Sequence, residues 1–273
     1  MLKTTVQRAR TKMYLRPPSS YYGGKQLLLS RLLPLIPTHL KYTESFIGGG
    51  ALYWTKPPSD IEVINDFDGF VSNFYFVFKT QFQALKSLVA ATPYSRQSHD
   101  DAIIMRQYAH LFSPVQRAWA FYFMCNTSMF SILENQMNTP SKDNKPLRSF
   151  HNKVALLENN AYVERLKNTM IESRDAFYVI TRHDSEDTFH FVDPPYFNSD
   201  CGHYAGYSAD DFKKLLDVLA AVKGKFLLTC YPSDIVDTYI LAHGWHIERV
   251  EMLLNAGNKG KKKVECLVRN YAV

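Results

Sequence analysis

The sequence has few cysteines and no long apolar run. No stretch approaches the roughly 20 consecutive apolar residues that a membrane-spanning helix needs, and residues 1–16 are basic and polar with no apolar segment behind them. Its four cysteines are widely spaced and include no Cys-x-x-Cys pair, which excludes a disulfide framework and favours reduced, buried thiols. These absences predict a soluble, cytoplasmic protein that does not contact membranes.

The composition is that of a folded globular protein, with 46% hydrophobic and 14% aromatic residues in 273. Its formal charge of +6 is unevenly placed, because eight basic residues precede the first acidic residue, Glu44: Lys3, Arg8, Arg10, Lys12, Arg16, Lys25, Arg31 and Lys41. A second basic cluster comprises Lys259, Lys261, Lys262 and Lys263. Localised positive charge suits a nucleic acid, but it is equally typical of a solvated tail and a solvated loop.

Short β-rich runs alternate with helical stretches towards both ends of the chain. The patterns predict strands over 42–47, 61–66, 189–193, 226–230, 244–250 and 263–269, and helices over 69–90 and 209–222. This alternation is typical of an open, largely parallel α/β sheet. Between about 92 and 169 the spacing becomes helical, with a polar loop over 138–148, which predicts an inserted helical subdomain.

Glycines and an acidic residue follow the first two predicted strands. Gly48, Gly49 and Gly50 end the first strand, and Asp66 ends the second. Ligands of open α/β sheets bind beyond the carboxyl ends of the strands, and the spacing is close to the roughly 20 residues between a nucleotide-binding turn and its ribose-binding acid. An adenosine-containing cofactor is therefore predicted. The complete Gly-x-Gly-x-x-Gly pattern of dinucleotide sites is absent. Taken alone, these residues also fit a tight turn and a helix cap.

The tetrapeptide Asp193-Pro194-Pro195-Tyr196 directly follows a predicted strand. Two prolines end the strand and donate no hydrogen bonds, so the Asp193 carboxylate and the Pro194 carbonyl can both act as acceptors for one amino group. An exocyclic amine of adenine is a poor nucleophile because its lone pair is delocalised, and paired acceptors would favour a pyramidal, reactive nitrogen. Tyr196 would stack on a base extruded from the duplex. A packed Pro-Pro turn remains the structural alternative.

The order of these elements resembles the Dam-like DNA adenine methylases, including phage and restriction-associated members. Five segments carry the resemblance: Tyr21-Tyr22-Gly23-Gly24-Lys25, Phe46-Ile47-Gly48-Gly49-Gly50-Ala51, Ile64-Asn65-Asp66, Arg174-Asp175-Ala176-Phe177 and Asp193-Pro194-Pro195-Tyr196. The similarity extends to residues 228–232 and 265–270.

The resemblance implies a Rossmann-like methyltransferase fold that uses S-adenosylmethionine and methylates adenine in double-stranded DNA. Its catalytic domain would span 1–68 and 166–273, with a helical target-recognition insert over 69–165. The resemblance implies that the catalytic residues are Asp193, Pro194, Pro195 and Tyr196. It also implies that the cofactor-binding residues are Tyr21, Tyr22, Gly23, Lys25, Phe46, Gly48, Gly49, Gly50, Asp66 and Asp175. DNA contacts fall to Arg117, Asn126, Thr127, Ser128, Lys145, Arg148, Lys261 and Lys262.

The resemblance also implies a bacterial or phage-infected cell as location, and it leaves open whether the chain has a cognate restriction endonuclease as partner. The histidines lack metal-ligand spacing with cysteines or acids, so no metal site is predicted. Two alternatives stay open, an amino-group methyltransferase acting on RNA or protein and a catalytically silent DNA-binding relative. Asp at position 193 and the helical insert favour DNA over the first, and the intact motifs disfavour the second.

Overall fold

The computed structural model describes residues 15–140, 143–198, 207–253 and 262–273. Within them, seven strands form one sheet in the order β3-β2-β1-β4-β5-β7-β6. The strands are β1 (Lys41–Glu44), β2 (Ile61–Asn65), β3 (Thr169–Glu172), β4 (Thr188–Val192), β5 (Lys225–Cys230), β6 (His246–Leu253) and β7 (Lys262–Arg269). β1 to β5 pair in parallel, whereas β7 is antiparallel to both β5 and β6.

The helices of the described residues cover both faces of this sheet. They are α1 (Leu29–Leu32), α2 (Ala51–Thr55), α3 (Gly69–Thr80), α4 (Phe82–Ala90), α5 (Arg96–Gln107), α6 (Pro114–Thr127), α7 (Lys145–Leu156), α8 (Ala161–Leu166), α9 (Ala176–His183), α10 (Ala209–Ala221) and α11 (Asp234–His243). Side-chain caps start several of them, since Asp68 accepts from the Phe70 amide and both α6 and α10 begin with a capping box.

Alternating residues of the central strands build two hydrophobic cores. Phe191, Leu227 and Leu267 join the core formed with the N-terminal segment and the helices between β2 and β3. Their strand neighbours Val192, Leu228 and Val268 join the core formed with α9, α10 and α11. Burial on both faces explains why these strands are almost continuously apolar in sequence.

The predicted α/β fold is confirmed, and each of the six predicted strands is present. One strand was missed. β3 has four residues at the sheet edge, with Met170 50% exposed, so it lacks the apolar alternation that marks a strand. The helix predicted over 69–90 is interrupted at Gln81, whose φ of −134° is not helical. The loop predicted over 138–148 is wrong at its end, because α7 begins at Lys145; a proline at the second helical position is tolerated there.

The helices between β2 and β3 pack directly on the sheet rather than standing apart from it. Phe74 of α3 and Phe121 of α6 lie with their ring centroids 4.9 Å apart, within the same core as β1 and β4. Arg165 of α8 forms a buried ion pair with Glu62 of β2, which ties the end of this segment to the sheet. The division into a catalytic domain and a 69–165 insert stays a prediction. No helix of the described ranges is long and apolar enough to cross a membrane.

Candidate active site

The sequence motifs meet at one edge of the sheet. β2, β1 and β4 are neighbouring parallel strands, so their carboxyl ends lie side by side. Asp66 and Asp193 directly follow β2 and β4, and the glycine turn follows β1 after three intervening residues, so all three lie at the same edge. Sequence spacing predicted this location, and the strand order brings the three motifs together.

The glycine turn (Gly48–Gly50) is closed by contacts that leave no room for side chains. The backbone has positive φ at Gly48 and Gly50. A Cβ at Gly49 would lie 2.8 Å from the Tyr21 Cβ, so Tyr21 covers the turn closely. The Tyr75 hydroxyl donates to the Gly48 carbonyl at 2.8 Å, and the Gly48 amide donates to Asp66 Oδ2 at 2.9 Å. The turn and Asp66 therefore form one rigid unit.

Asn65 connects this unit to the segment after β3. Its side-chain amide donates to the carbonyls of Ser45 and Arg174, and its Oδ1 accepts from the Arg174 amide at 2.9 Å. Asp175, the next residue, is exposed and caps α9 by accepting from the amides of Phe177 and Tyr178. Burial raises the pKa of Asp66 to about 6, although the Gly48 and Asp68 amides oppose the shift. Asp66 and Asp175 thus offer two carboxylates at neighbouring strand ends.

Asp193 is held by three side chains. Lys25 Nζ lies 2.8 Å from its Oδ2, and the hydroxyls of Thr229 and Tyr196 lie 2.6 and 3.2 Å from its Oδ1. Burial raises the pKa of Asp193, whereas Lys25 and the Thr229 hydroxyl lower it. Lys25, predicted to bind cofactor, is therefore the counter-ion of Asp193, the carboxylate predicted to be catalytic.

Tyr196 is anchored by a residue that the sequence did not single out for a role. Its hydroxyl donates to Glu265 Oε2 at 2.7 Å, and its ring packs edge-on against Tyr231 at 4.4 Å. Glu265 is 1% exposed and also accepts from Lys263 Nζ at 2.8 Å. An acidic residue among the apolar residues of β7 was the available signal, because a buried carboxylate needs partners.

Glu44, at the end of β1, is a second buried acid without a predicted role. It is 2% exposed and accepts from the Tyr42 hydroxyl. Burial raises the pKa of Glu44 to about 8, and the charge of Asp193 adds to the increase. The carboxyl therefore binds its proton more tightly in the folded chain than in the unfolded one.

Replacing Glu44 with Gln should flatten the pH dependence of stability. The folded pKa of about 8 lies above the ordinary 4.5, so the free energy of unfolding of the wild type falls as pH rises through this window. The slope from one such group reaches about 1.4 kcal/mol per pH unit. Urea unfolding between pH 5 and 8 should show the Glu44→Gln variant gaining on the wild type as pH rises. The exposed Glu164→Gln control should run parallel to the wild type.

The residues predicted to contact DNA fall into three groups. Thr127 and Ser128 are buried, and their hydroxyls bond to the Phe123 and Leu133 carbonyls, so direct contact with DNA does not fit their position. Asn126 is half-buried and accepts from the Ser20 amide, and Arg117 is half-buried on α6. Lys145 and Arg148 are exposed on α7, whereas Lys261 and the side chain of Lys262 lie outside the described residues.

A loop over 128–138 follows α6, and sequence reasoning did not single out its tip. Phe130 at this tip is 70% exposed with a positive φ of 58°, an uncommon backbone for a phenylalanine. Arg106 fastens the loop to the site, because it pairs with Glu134 at 3.0 Å and with Asp68, two residues after Asp66, at 3.1 Å. The loop therefore lies beside the Asp66 turn.

Within the ranges that the structure describes, no group of three or more His, Cys, Asp or Glu side chains is placed to hold a metal ion.

Phe67, next to Asp66, is 76% exposed, and the sequence analysis did not predict a role for it. Its ring offers an apolar surface directly beside the acidic residue.

Comparisons with known proteins place the chain in a family. Residues 21–244 match the D12 class N6 adenine-specific DNA methyltransferase family. A type II methyltransferase of Lactococcus lactis subsp. cremoris, M1.LlaDCHI, is 26% identical over 96% of this chain and 98% of its own length. The modification methylase StsI of Streptococcus sanguinis is 23% identical over 70% of this chain and 30% of its own length.

Among solved structures, a putative methyltransferase, yhhF from Escherichia coli, matches at 10% identity and a TM-score of 0.35, covering 93% of this chain and 89% of its own. The family match spans the glycine turn, Asp66 and Asp193, and it confirms the resemblance and the methyltransferase fold inferred from the sequence. The chain therefore belongs to the D12 class of N6 adenine-specific DNA methyltransferases, and it is an enzyme that methylates adenine in DNA.

Proposed function

We propose that the chain transfers the methyl group of S-adenosylmethionine to the N6 amino group of an adenine extruded from double-stranded DNA, within a specific sequence. The observation that carries the proposal is the placement of Asp193, which lies at the end of β4 beside the glycine turn of β1 and is paired with Lys25 at 2.8 Å. The cofactor supplies an electrophilic methyl group on a positively charged sulfur.

The side chains at this edge fit an adenosyl ligand. Asp66 is an acceptor suited to ribose hydroxyls, and its carboxylate is pre-oriented by the Gly48 and Asp68 amides. The exposed ring of Phe67 suits the face of an adenine, and Asp175 suits its amino group. The glycine turn and Tyr21 would hold the methionine part. Phe46, Tyr22 and Gly23 border these residues in sequence and complete the proposed site.

Asp193 and the Pro194 carbonyl orient the target amine. A carboxylate has about four lone-pair sites, and Lys25 and Thr229 occupy one on each oxygen of Asp193, which leaves acceptor sites for the amine. Accepting the amine hydrogens would free the nitrogen lone pair from conjugation with the ring, so that the nitrogen could form a bond to the methyl carbon of the donor while the bond from that carbon to sulfur breaks and sulfur leaves as a neutral thioether. The methylated amine would then release one proton to solvent, which leaves N6-methyladenine. The Tyr196 ring stacks on the extruded base.

The loop over 128–138 and α7 form the proposed DNA interface. Exposed Lys145 and Arg148 would contact phosphates, while Thr127 and Ser128 support the loop from within. Phe130 suits a wedge between base steps, because its apolar ring is 70% exposed in this loop. Asn126 lies at the end of α6 directly before this loop, whereas Arg117 lies in the first turn of α6, at the other end of the helix.

Expression in a methylation-free bacterial host followed by modification-sensitive genome sequencing tests the proposal. N6-methyladenine should occupy nearly every copy of one short sequence, and it should be absent with Asp193→Ala. Methylation spread without sequence preference would contradict the specificity, and modification confined to RNA or protein would contradict the substrate.

We also propose that the chain protects its recognition sequence from a cognate restriction endonuclease. The names of its relatives, type II methyltransferase and modification methylase, support this. DNA from the same host should resist an endonuclease that cuts the unmethylated form of the recognition sequence, and DNA from a host expressing Asp193→Ala should be cut.

A further inference from the structure

The Tyr196 hydroxyl lies between two carboxylates but has one proton to donate. Glu265 Oε2 is 2.7 Å away and Asp193 Oδ1 is 3.2 Å away, so the shorter and stronger bond goes to Glu265. Charge-assisted bonds from a hydroxyl to a carboxylate are typically this short. The two carboxylates therefore compete for one donor, and the geometry favours Glu265.

Glu265 is built to keep its negative charge. It is 1% exposed on β7, and burial raises its pKa, but the neighbouring Lys25 and Lys263 outweigh burial and leave the pKa of Glu265 below its ordinary value. Lys263 Nζ contacts the other oxygen, Oε1, at 2.8 Å, so Oε2 stays available for the tyrosine. An ionised Glu265 remains an acceptor at neutral pH.

Asp193 has little acceptor capacity to spare. Its Oδ2 is paired with Lys25, and its Oδ1 already accepts from the Thr229 hydroxyl at 2.6 Å. If the Tyr196 hydroxyl also donated to Asp193 Oδ1, it would occupy the second lone pair of that oxygen. Drawing the tyrosine proton to Glu265 keeps that position open.

We propose that Glu265 is a positioning residue for methyl transfer: by accepting the Tyr196 proton it fixes the tyrosine ring for stacking and keeps Asp193 free to accept from the target amine. This inference rests on the proposed function, in which Asp193 accepts from the amine. When Glu265 loses its charge, the Tyr196 hydroxyl turns to Asp193 and competes with the substrate.

A double-mutant cycle between Glu265 and Tyr196 tests the inference. Glu265→Gln keeps the side-chain volume and should slow single-turnover methylation about 10-fold or more, with KM for DNA within twofold, because a hydrogen bond to a charged group is lost. The same substitution in a Tyr196→Phe background, which keeps the ring and removes the hydroxyl, should change the rate less than twofold. Glu265→Ala should follow the same pattern.

An equal loss in both backgrounds would assign Glu265 to the packing of β7 and overturn the proposal, as would an unchanged rate for Glu265→Gln in the wild-type background. Thermal unfolding of each variant identifies rates lowered by misfolding, and Lys263→Met, which leaves Glu265 in place, gives the effect of the neighbouring charge alone. Asp193→Ala tests the proposed function separately from the role of Glu265. If this variant methylates DNA normally, the proposed function fails. If it is inactive, Asp193 is essential, and the double-mutant cycle then tests Glu265 alone.

Discussion

Asp193→Ala should lower the rate of methyl transfer by about 100- to 1000-fold. The substitution removes the carboxylate that accepts from the target amine, and loss of one preorganised polar group at a reacting centre costs roughly 100- to 1000-fold. Asp193→Asn keeps one acceptor oxygen and should retain more activity than Ala. Single-turnover assays with tritiated methyl donor measure both, and DNA affinity should change little because Asp193 reaches only the extruded base.

Asp193→Ala also leaves Lys25, which is 7% exposed, without its partner. An unpaired buried charge is destabilising, so the variant should unfold at a lower temperature. The double variant Asp193→Ala/Lys25→Met removes both charges, and we expect it to regain stability while remaining inactive. Normal methylation by either variant would refute the proposed mechanism.

Lys25→Met should reduce activity near neutral pH and shift the acidic limb of the pH–rate profile to higher pH. Burial already raises the pKa of Asp193, and Lys25 is the largest opposing influence, so removing the cation raises that pKa further. A protonated Asp193 is a poorer acceptor, and the lost activity should therefore return as pH increases. Rates at saturating cofactor and DNA between pH 6 and 10 give the measurement.

Lys25→Arg keeps the charge and should leave the acidic limb close to that of the wild type. A Lys25→Met profile of unchanged shape, with only the KM for the methyl donor increased, would contradict this prediction. Lys25 would then act on the cofactor alone, as its sequence context first suggested.

Local sequence identified the parts of the site that lie within single segments. The glycine turn, Asp66 and Asp193 each lie at or just beyond the carboxyl end of a strand, and these ends lie side by side in a parallel sheet, so their placement followed from pattern and spacing. Elements without a local signal were missed. β3 is four residues long with an exposed Met170, and α7 starts inside a stretch rich in proline, lysine and asparagine.

Glu265 and Lys25 show that sequence patterns do not predict contacts between residues that are far apart along the chain. Glu265 is 69 residues from Tyr196, and Lys25 is far from Asp193 along the chain, yet each pair lies within 3 Å. Distances of this kind depend on β7 pairing antiparallel beside β5, which brings Glu265 to the end of the sheet where Asp193 lies. No single segment of the sequence predicts the direction and order of the strands.

The sequence by itself determined the α/β class and predicted the cofactor edge and the chemistry of the Asp-Pro-Pro-Tyr segment, because periodicity, turn residues and motif spacing act over a few residues. Only the tertiary structure decided the charge partners of Asp193, the anchor of Tyr196 and the burial of Thr127 and Ser128. The physical reason is that hydrogen bonding and pKa depend on which groups share a buried volume, and that is set by how distant segments pack together.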